Sequence, residues 1–188
     1  MAKSRTLTHE RVIETAARLA NERGGLANIT LTHLATELNI RVPSLYNHVK
    51  GMDGLQHDLT VWGLQQLLTY IRQAVVGKVG REALLAIAHA YRAFAHAQLG
   101  IYPLVLKAPP PDDAQLAALS SELLMILQLV LASYNLEGEA ALHAIRGFRS
   151  VLHGFVSLET GGAFEMPLDR DESFTRLVSI YLDGLSQN

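Results

Sequence analysis

Hydrogen-bonding side chains crowd into one short span: Arg41, Ser44, Tyr46, Asn47, His48 and Lys50. Hydroxyl, amide, imidazole and cationic groups in that density offer recognition of another polar surface. Two other groups could do chemistry. Leu85, His89, Arg92 and His96 fall in one helical stripe, which reads either as the polar lining of a ligand cavity or as a solvated face. His89 and His96 are seven residues apart, about 10 Å along a helix, too far to share a metal ion without further ligands. His153 and Glu159 are six apart on one helix, so they point to different faces and form no dyad alone. The chain has no Cys, which excludes disulfides and thiolate chemistry. It has neither a phosphate loop nor a Cys/His metal spacing, and no cofactor is expected.

The elements that must position the first group can be read from residues 30–50. Thr30 is a good N-cap for a run of Leu31, Leu34, Ala35 and Leu38 at helical spacing. Asn39 tolerates the left-handed backbone of a sharp helix exit, and Ile40 plugs the corner. Pro43 suits the first turn of a second helix, where its missing N–H costs nothing. That helix carries Leu45 and Val49 inward and leaves Val42, Ser44, Tyr46, Asn47, His48 and Lys50 for other faces. The shape is a helix-turn-helix, whose second helix can lie in a major groove. A plain αα corner has the same spacing. The polar second helix separates the two readings, as does the break Lys50-Gly51-Met52-Asp53-Gly54-Leu55 after it.

The segment Leu34-Ala35, Leu38-Asn39-Ile40 and Ser44 to Leu55 resembles the DNA-binding domain of TetR-type transcriptional repressors. The likeness covers roughly residues 8–60. Three positions depart from the family pattern: Asn39 stands where Gly is usual, Arg41 where a small hydroxyl residue is usual, and Val49 where an aromatic is usual. The resemblance implies an all-α fold of about nine helices with a DNA-binding domain over residues 1–51. A ligand-binding and dimerisation domain follows over 52–188, joined through a helix at 52–76. On this reading Val42, Pro43, Ser44 and Asn47 meet base edges, Asn being suited to adenine. Thr32, Tyr46, His48 and Lys50 bind phosphates, and Arg41 does either.

Charge is unevenly spread. Residues 1–50 carry seven Lys/Arg against four Asp/Glu, and the remainder nine against fourteen, within a formal net charge of −2. A basic head on an acidic body suits an oriented approach to a polyanion. Apolar residues make up 49% of the chain, an excess that belongs in a core, a pocket or a partner surface. No signal core precedes residue 8. The longest apolar stretch, Leu123 to Ala132, is interrupted by Gln128 and falls short of the ~20 residues a bilayer needs. A cytoplasmic location and no membrane partner are expected.

Periodicity outlines the rest. Residues 8–24 read as an amphipathic helix capped by Thr8, with Val12, Ile13, Ala16, Ala17, Leu19 and Ala20 inward. Lys3 and Arg5 precede it as an arm for phosphate or the minor groove, or as a plain solvated tail. Helices follow over 52–76 and 81–99, then a short helix or turn over Ile101 to Lys107. Pro109-Pro110-Pro111 forces a break before a helix reaching about Asn135, apolar on most of its circumference and so expected to be buried on most sides. The helix over 137–160 sets Gly147, Ser150 and Gly154 on one face, as close helix packing requires. Its His153-Gly154 pair, the Leu158-Glu159 pair and the Gly-rich end after them resemble the C-terminal body of one TetR subgroup. The last helix, about 171–185, carries Phe174, Leu177, Val178, Tyr181, Leu182 and Leu185 as a complete apolar stripe.

The expected function is a ligand-responsive repressor that binds palindromic, double-stranded operator DNA as a homodimer. A small, mostly apolar effector would sit among some of Trp62, His89, Tyr91, Phe94, Tyr102 and Met125. Gly147, Ser150, Gly154, Phe174, Leu177, Val178 and Tyr181 are the expected dimer interface. The alternatives are a helical interaction module that does not read DNA, and an all-α enzyme using His153 and Glu159.

Overall fold

The computed structural model describes residues 7–185; the arm with Lys3 and Arg5 lies outside them. Among the described residues the chain is all-helical: α1 His9–Glu22, α2 Leu31–Glu37, α3 Val42–Leu45, α4 Gly51–Val75, α5 Gly80–Ala97, α6 Ala114–Leu131, α7 Gly138–Thr160 and α8 Arg170–Leu185. Eight α-helices rather than about nine are found because Tyr102–Leu106 winds as a tighter 3-10 turn. The chain divides into two compact units, one running up to residue 65 and taking in 97–116, the other comprising 66–96 and 117–188.

In the first unit, local signals set the helix ends. The Thr8 hydroxyl accepts from the Arg11 N–H at 3.2 Å, the Thr30 hydroxyl from the His33 N–H at 3.2 Å. Each satisfies a donor that a helix start leaves open. Inward residues of α1 meet Leu34, Leu45, Leu55 and Leu59 in one apolar core. All four leucines are fully buried, so truncating any of them costs about 2–5 kcal/mol. The segment after α5 is pinned to the end of α1. Asn21 donates to the Gln98 side chain at 2.8 Å and accepts from the Gly100 N–H at 2.9 Å. Gly100 permits this approach, since any Cβ there would strike the Ala20 carbonyl.

In the second unit, α7 and α8 pair through their apolar faces. Phe174, Val178 and Leu182 are buried against the chain itself. The Tyr181 hydroxyl donates to the Ala144 carbonyl at 2.6 Å, and a Cβ at Gly147 would lie 2.5 Å from that hydroxyl oxygen. Three residues expected at a dimer interface are engaged within the protomer. Phe174 and Val178 have no surface left for a second copy, and the close approach that Gly147 allows is to Tyr181 of its own chain.

Helix α6 departs from expectation in the opposite direction. Only Leu116 and Leu131 are buried along it, while Met125 and Leu129 are 58% and 71% exposed. With the turn that follows it spans 21 residues, including an 18-residue stretch of mean hydropathy 1.8. Leu116, Ala117, Ala118 and Leu119 carry its apolar run N-terminally of the Leu123–Ala132 stretch. It is also far less covered by its own chain than an all-round apolar helix should be.

Candidate nucleic-acid interface

The corner between α2 and α3 is built by backbone hydrogen bonds. Asn39 adopts φ 55°, its N–H meets the Thr36 carbonyl at 3.0 Å, and the Ile40 N–H reaches back to the Ala35 carbonyl at 2.9 Å. That left-handed exit closes the α2 carbonyls and turns the chain sharply. Arg41 is extended, at φ −85° and ψ 144°, and Pro43 sits in the first turn of α3. The recognition element is shorter than a helix running through Val49. α3 is a single turn, Val42–Leu45, after which the His48 and Val49 N–H groups both bond to the Leu45 carbonyl. Leu45 and Val49 are buried beneath it.

This arrangement leaves Thr32, Arg41, Pro43, Ser44, Tyr46, Asn47 and Lys50 exposed, with Val42 and His48 half-buried. Tyr46 is 59% exposed, unusual for an aromatic with no partner surface. Among the described residues neither Arg41 nor Lys50 pairs with a carboxylate. The surface therefore presents hydroxyl, amide and cationic groups on a rigid apolar base, which is what contact with phosphates and base edges requires.

One holding contact was not legible in the sequence. The His9 ring donates from Nδ1 to the His48 carbonyl at 2.8 Å; a carbonyl only accepts, which fixes the proton on that nitrogen. His9 lies 39 residues from His48, and no local pattern announces the pair.

The effector candidates are spread through both units. Trp62 is half-buried against the first unit's core and Tyr102 is buried there. In the second unit Tyr91 and Phe94 are buried, Met125 is exposed, and the His89 ring lies edge-on to Phe174 at 5.4 Å. None of the six lines either of two cavities in the structure. One, about 430 Å³, lies in the first unit by Leu26, Met52, Gln56 and Leu104. The other, about 370 Å³, lies in the second by Phe155, Phe164, Met166 and Arg170.

The polar stripe of α5 is neither solvated nor free to line a cavity throughout. Arg92 donates to both Glu159 carboxylate oxygens, at 2.8 and 2.6 Å, and His96 Nε2 lies 2.7 Å from the same group. Arg92 also pairs with Asp171 at 2.8 Å and covers the Phe155 and Phe174 rings. The Arg92 hydrogen bonds hold the buried Glu159 carboxyl down at about 2. In the sequence Glu159 stands out only beside His153 and within the Leu158-Glu159 pair. Its inward register with Leu152, Phe155 and Val156 was the signal that it needed a cationic partner.

An all-helical chain with a helix-turn-helix that exposes such a surface defines a DNA-binding regulator. Residues 84–181 match the family model described as "Tetracyclin repressor-like, C-terminal domain". The chain is 33% identical over 183 residues to the uncharacterized HTH-type transcriptional regulator YobS of Bacillus subtilis, covering 97% of this chain and 94% of the relative. It is 34% identical over 188 residues to the uncharacterized HTH-type transcriptional regulator Rv0681 of Mycobacterium tuberculosis, covering 100% and 85%. The chain belongs to the TetR family of transcriptional regulators. Solved structures share the fold. A protein of unknown function from Rhodococcus sp. RHA1 superimposes with TM-score 0.83 at 21% identity over the whole of both chains. The TetR family regulator PfmR of Thermus thermophilus gives 0.67 at 20% identity, over 95% of this chain and 97% of that one. A TetR variant of Acinetobacter baumannii AYE in complex with minocycline gives 0.71 at 20%, over 97% and 98%.

Proposed function

We propose that this regulator is a homodimeric repressor that reads a palindromic operator and releases it when a small, mostly apolar molecule binds. The carrying observation is the exposed polar set from Arg41 to Lys50, standing on the buried Leu34, Leu45 and Val49. Residues 1–51 act as the reading domain and 52–188 as the effector and dimer domain. Val42, Pro43, Ser44 and Asn47 face base edges, while Thr32, Tyr46, His48 and Lys50 face phosphates. The apolar surface of α6, with Met125 exposed, supports an apolar effector. The effector changes DNA affinity only by the difference in its affinity for the two states of the protein. Glu159 is occupied by Arg92 and His96, which supports a structural rather than catalytic role for it. The protein works where duplex DNA is, in the cytoplasm.

Selection of bound sites from random duplex DNA tests the reading. Two half-sites in inverted repeat, about one helical turn or a multiple apart, are expected. A single unrepeated site refutes the two-fold arrangement, and no enrichment refutes DNA reading by residues 41–50.

A further inference from the structure

A chain of polar contacts crosses the first unit from the start of α6 to the end of the recognition element. Asp113 begins it. One carboxylate oxygen accepts the Leu116 N–H at 3.0 Å, capping α6, and the other lies 2.9 Å from His57 Nε2. The opposite ring nitrogen of His57 is 3.2 Å from Asp58 Oδ1. The second oxygen of Asp58 lies 3.7 Å from His9 Nε2, an ion-pair distance. His9 in turn donates to the His48 carbonyl.

One imidazole thus has a carboxylate at each of its two nitrogens, which ties the α6 cap and Asp58 to the same ring. The Asp113 end is also fixed from behind, because its N–H bonds to the Pro110 carbonyl at 3.1 Å within the stiff proline run. At the other end, His48 closes the turn that carries Tyr46 and Asn47, its N–H donating to the Leu45 carbonyl at 2.8 Å, while its own carbonyl accepts from His9.

We propose that His57 is a positioning residue for DNA binding, holding Asp58 towards His9 and thereby fixing the end of the recognition element relative to the cap of α6. The inference rests on residues 41–50 being the DNA-reading surface. His57 touches no DNA in this scheme. Its removal frees Asp58 to turn to solvent, leaves His9 unanchored and lets the Tyr46–His48 turn wander.

The test uses the full chain, its selected duplex and fluorescence anisotropy at about 25 °C. The contacts are partly exposed, so His57→Ala weakens binding by about three- to fivefold, the scale of one such pair. Asp113→Asn keeps the α6 cap, because Asn caps as well as Asp, and should lose the same factor. The double variant should lose no more than either alone, whereas His57→Gln, which retains a donor, should return to within about twofold of wild type. A purely structural role would lower the melting temperature but leave affinity at that temperature unchanged, since the chain stays folded. Unchanged affinity in both single variants, or losses that multiply in the double variant, overturns the proposal while leaving DNA reading intact. Failure of the wild-type chain to bind any duplex overturns both.

Discussion

Asn47 and Lys50 stand three positions apart, and the proposed reading gives them different duties, one on a base edge and one on a phosphate. Replacing Tyr46 and Lys50 together with Ala should weaken binding to every duplex. It should also flatten the salt dependence by about one unit of slope per lost ionic phosphate contact, measurable as log affinity against log salt. Asn47→Ala should instead relax preference at one position per half-site, about 1–3 kcal/mol of discrimination. Equal losses on all sequences would remove Asn47 from base reading. The exposure of these residues was legible in the sequence, because Leu45 and Val49 take the inward positions and leave the polar side chains around them to solvent. His9, His57 and Asp113 were not, because their meaning arises only when segments far apart in the chain meet. Glu159 belongs with them, and its consequence is a pH dependence. Its folded value near 2 lies below the ~4.3 of a free carboxyl. The stability it contributes is therefore complete above that free value and is lost as pH falls from about 4 towards 2. Glu159→Gln should remove that acid-sensitive part from urea denaturation curves taken between about pH 2 and 5. At neutral pH it should cost about 1–3 kcal/mol, because Arg92 loses one carboxylate partner and keeps only the pair with exposed Asp171. A variant that unfolds with wild-type acid dependence would show that other carboxylates control it.

At the scale of elements, what is written locally was read and what depends on neighbours was not. Thr8, Thr30 and Asn39 announce two helix starts and one helix exit, and each is found making the bond its type suits. The length of α3 was overestimated because Leu45 and Val49 continue a helical apolar spacing. The structure instead buries both from a single turn followed by a tighter one. Asn39 allows a direct check on the corner. A β-branched side chain is strained at its φ of 55°, so Asn39→Val should destabilise the chain by about 1–2 kcal/mol. Asn39→Gly, the residue usual in the resembled family, should be neutral or better by chemical denaturation. If Val were tolerated as well as Gly, the left-handed exit would not be what holds α2 against α3. Helix α6 shows the limit from the other side. Its all-round apolar sequence was plain, yet apolarity does not say whether the cover comes from the same chain, a ligand or another copy.

For the molecule as a whole, the question is which apolar surface a second copy would cover. The last helix carries a complete apolar stripe, but Phe174, Val178 and Leu182 already face its own chain, and Tyr181 is tied to Ala144. Substituting Tyr181 would therefore damage the protomer before it reported on assembly. The face left over on α8 carries Ile180, 70% exposed, and the half-buried Leu177. On α7 the outward positions include exposed Ser150, which donates to the Arg146 carbonyl at 2.8 Å, Gly154 with open space around its α-carbon, and Leu158 at 51% exposure. Small residues on α7 beside Leu177 and Ile180 on α8 suit a bundle formed by two helices from each copy about a two-fold axis. Leu177→Asp with Ile180→Asp would place four charges in that interface and none in the protomer core. Sedimentation should then give monomers with a far-ultraviolet helix signal equal to wild type. Affinity for a two-half-site duplex should fall, while binding to an isolated half-site stays as it was. A dimer that survives both substitutions would move the interface away from α7 and α8, with the uncovered apolar length of α6 as the next surface to test.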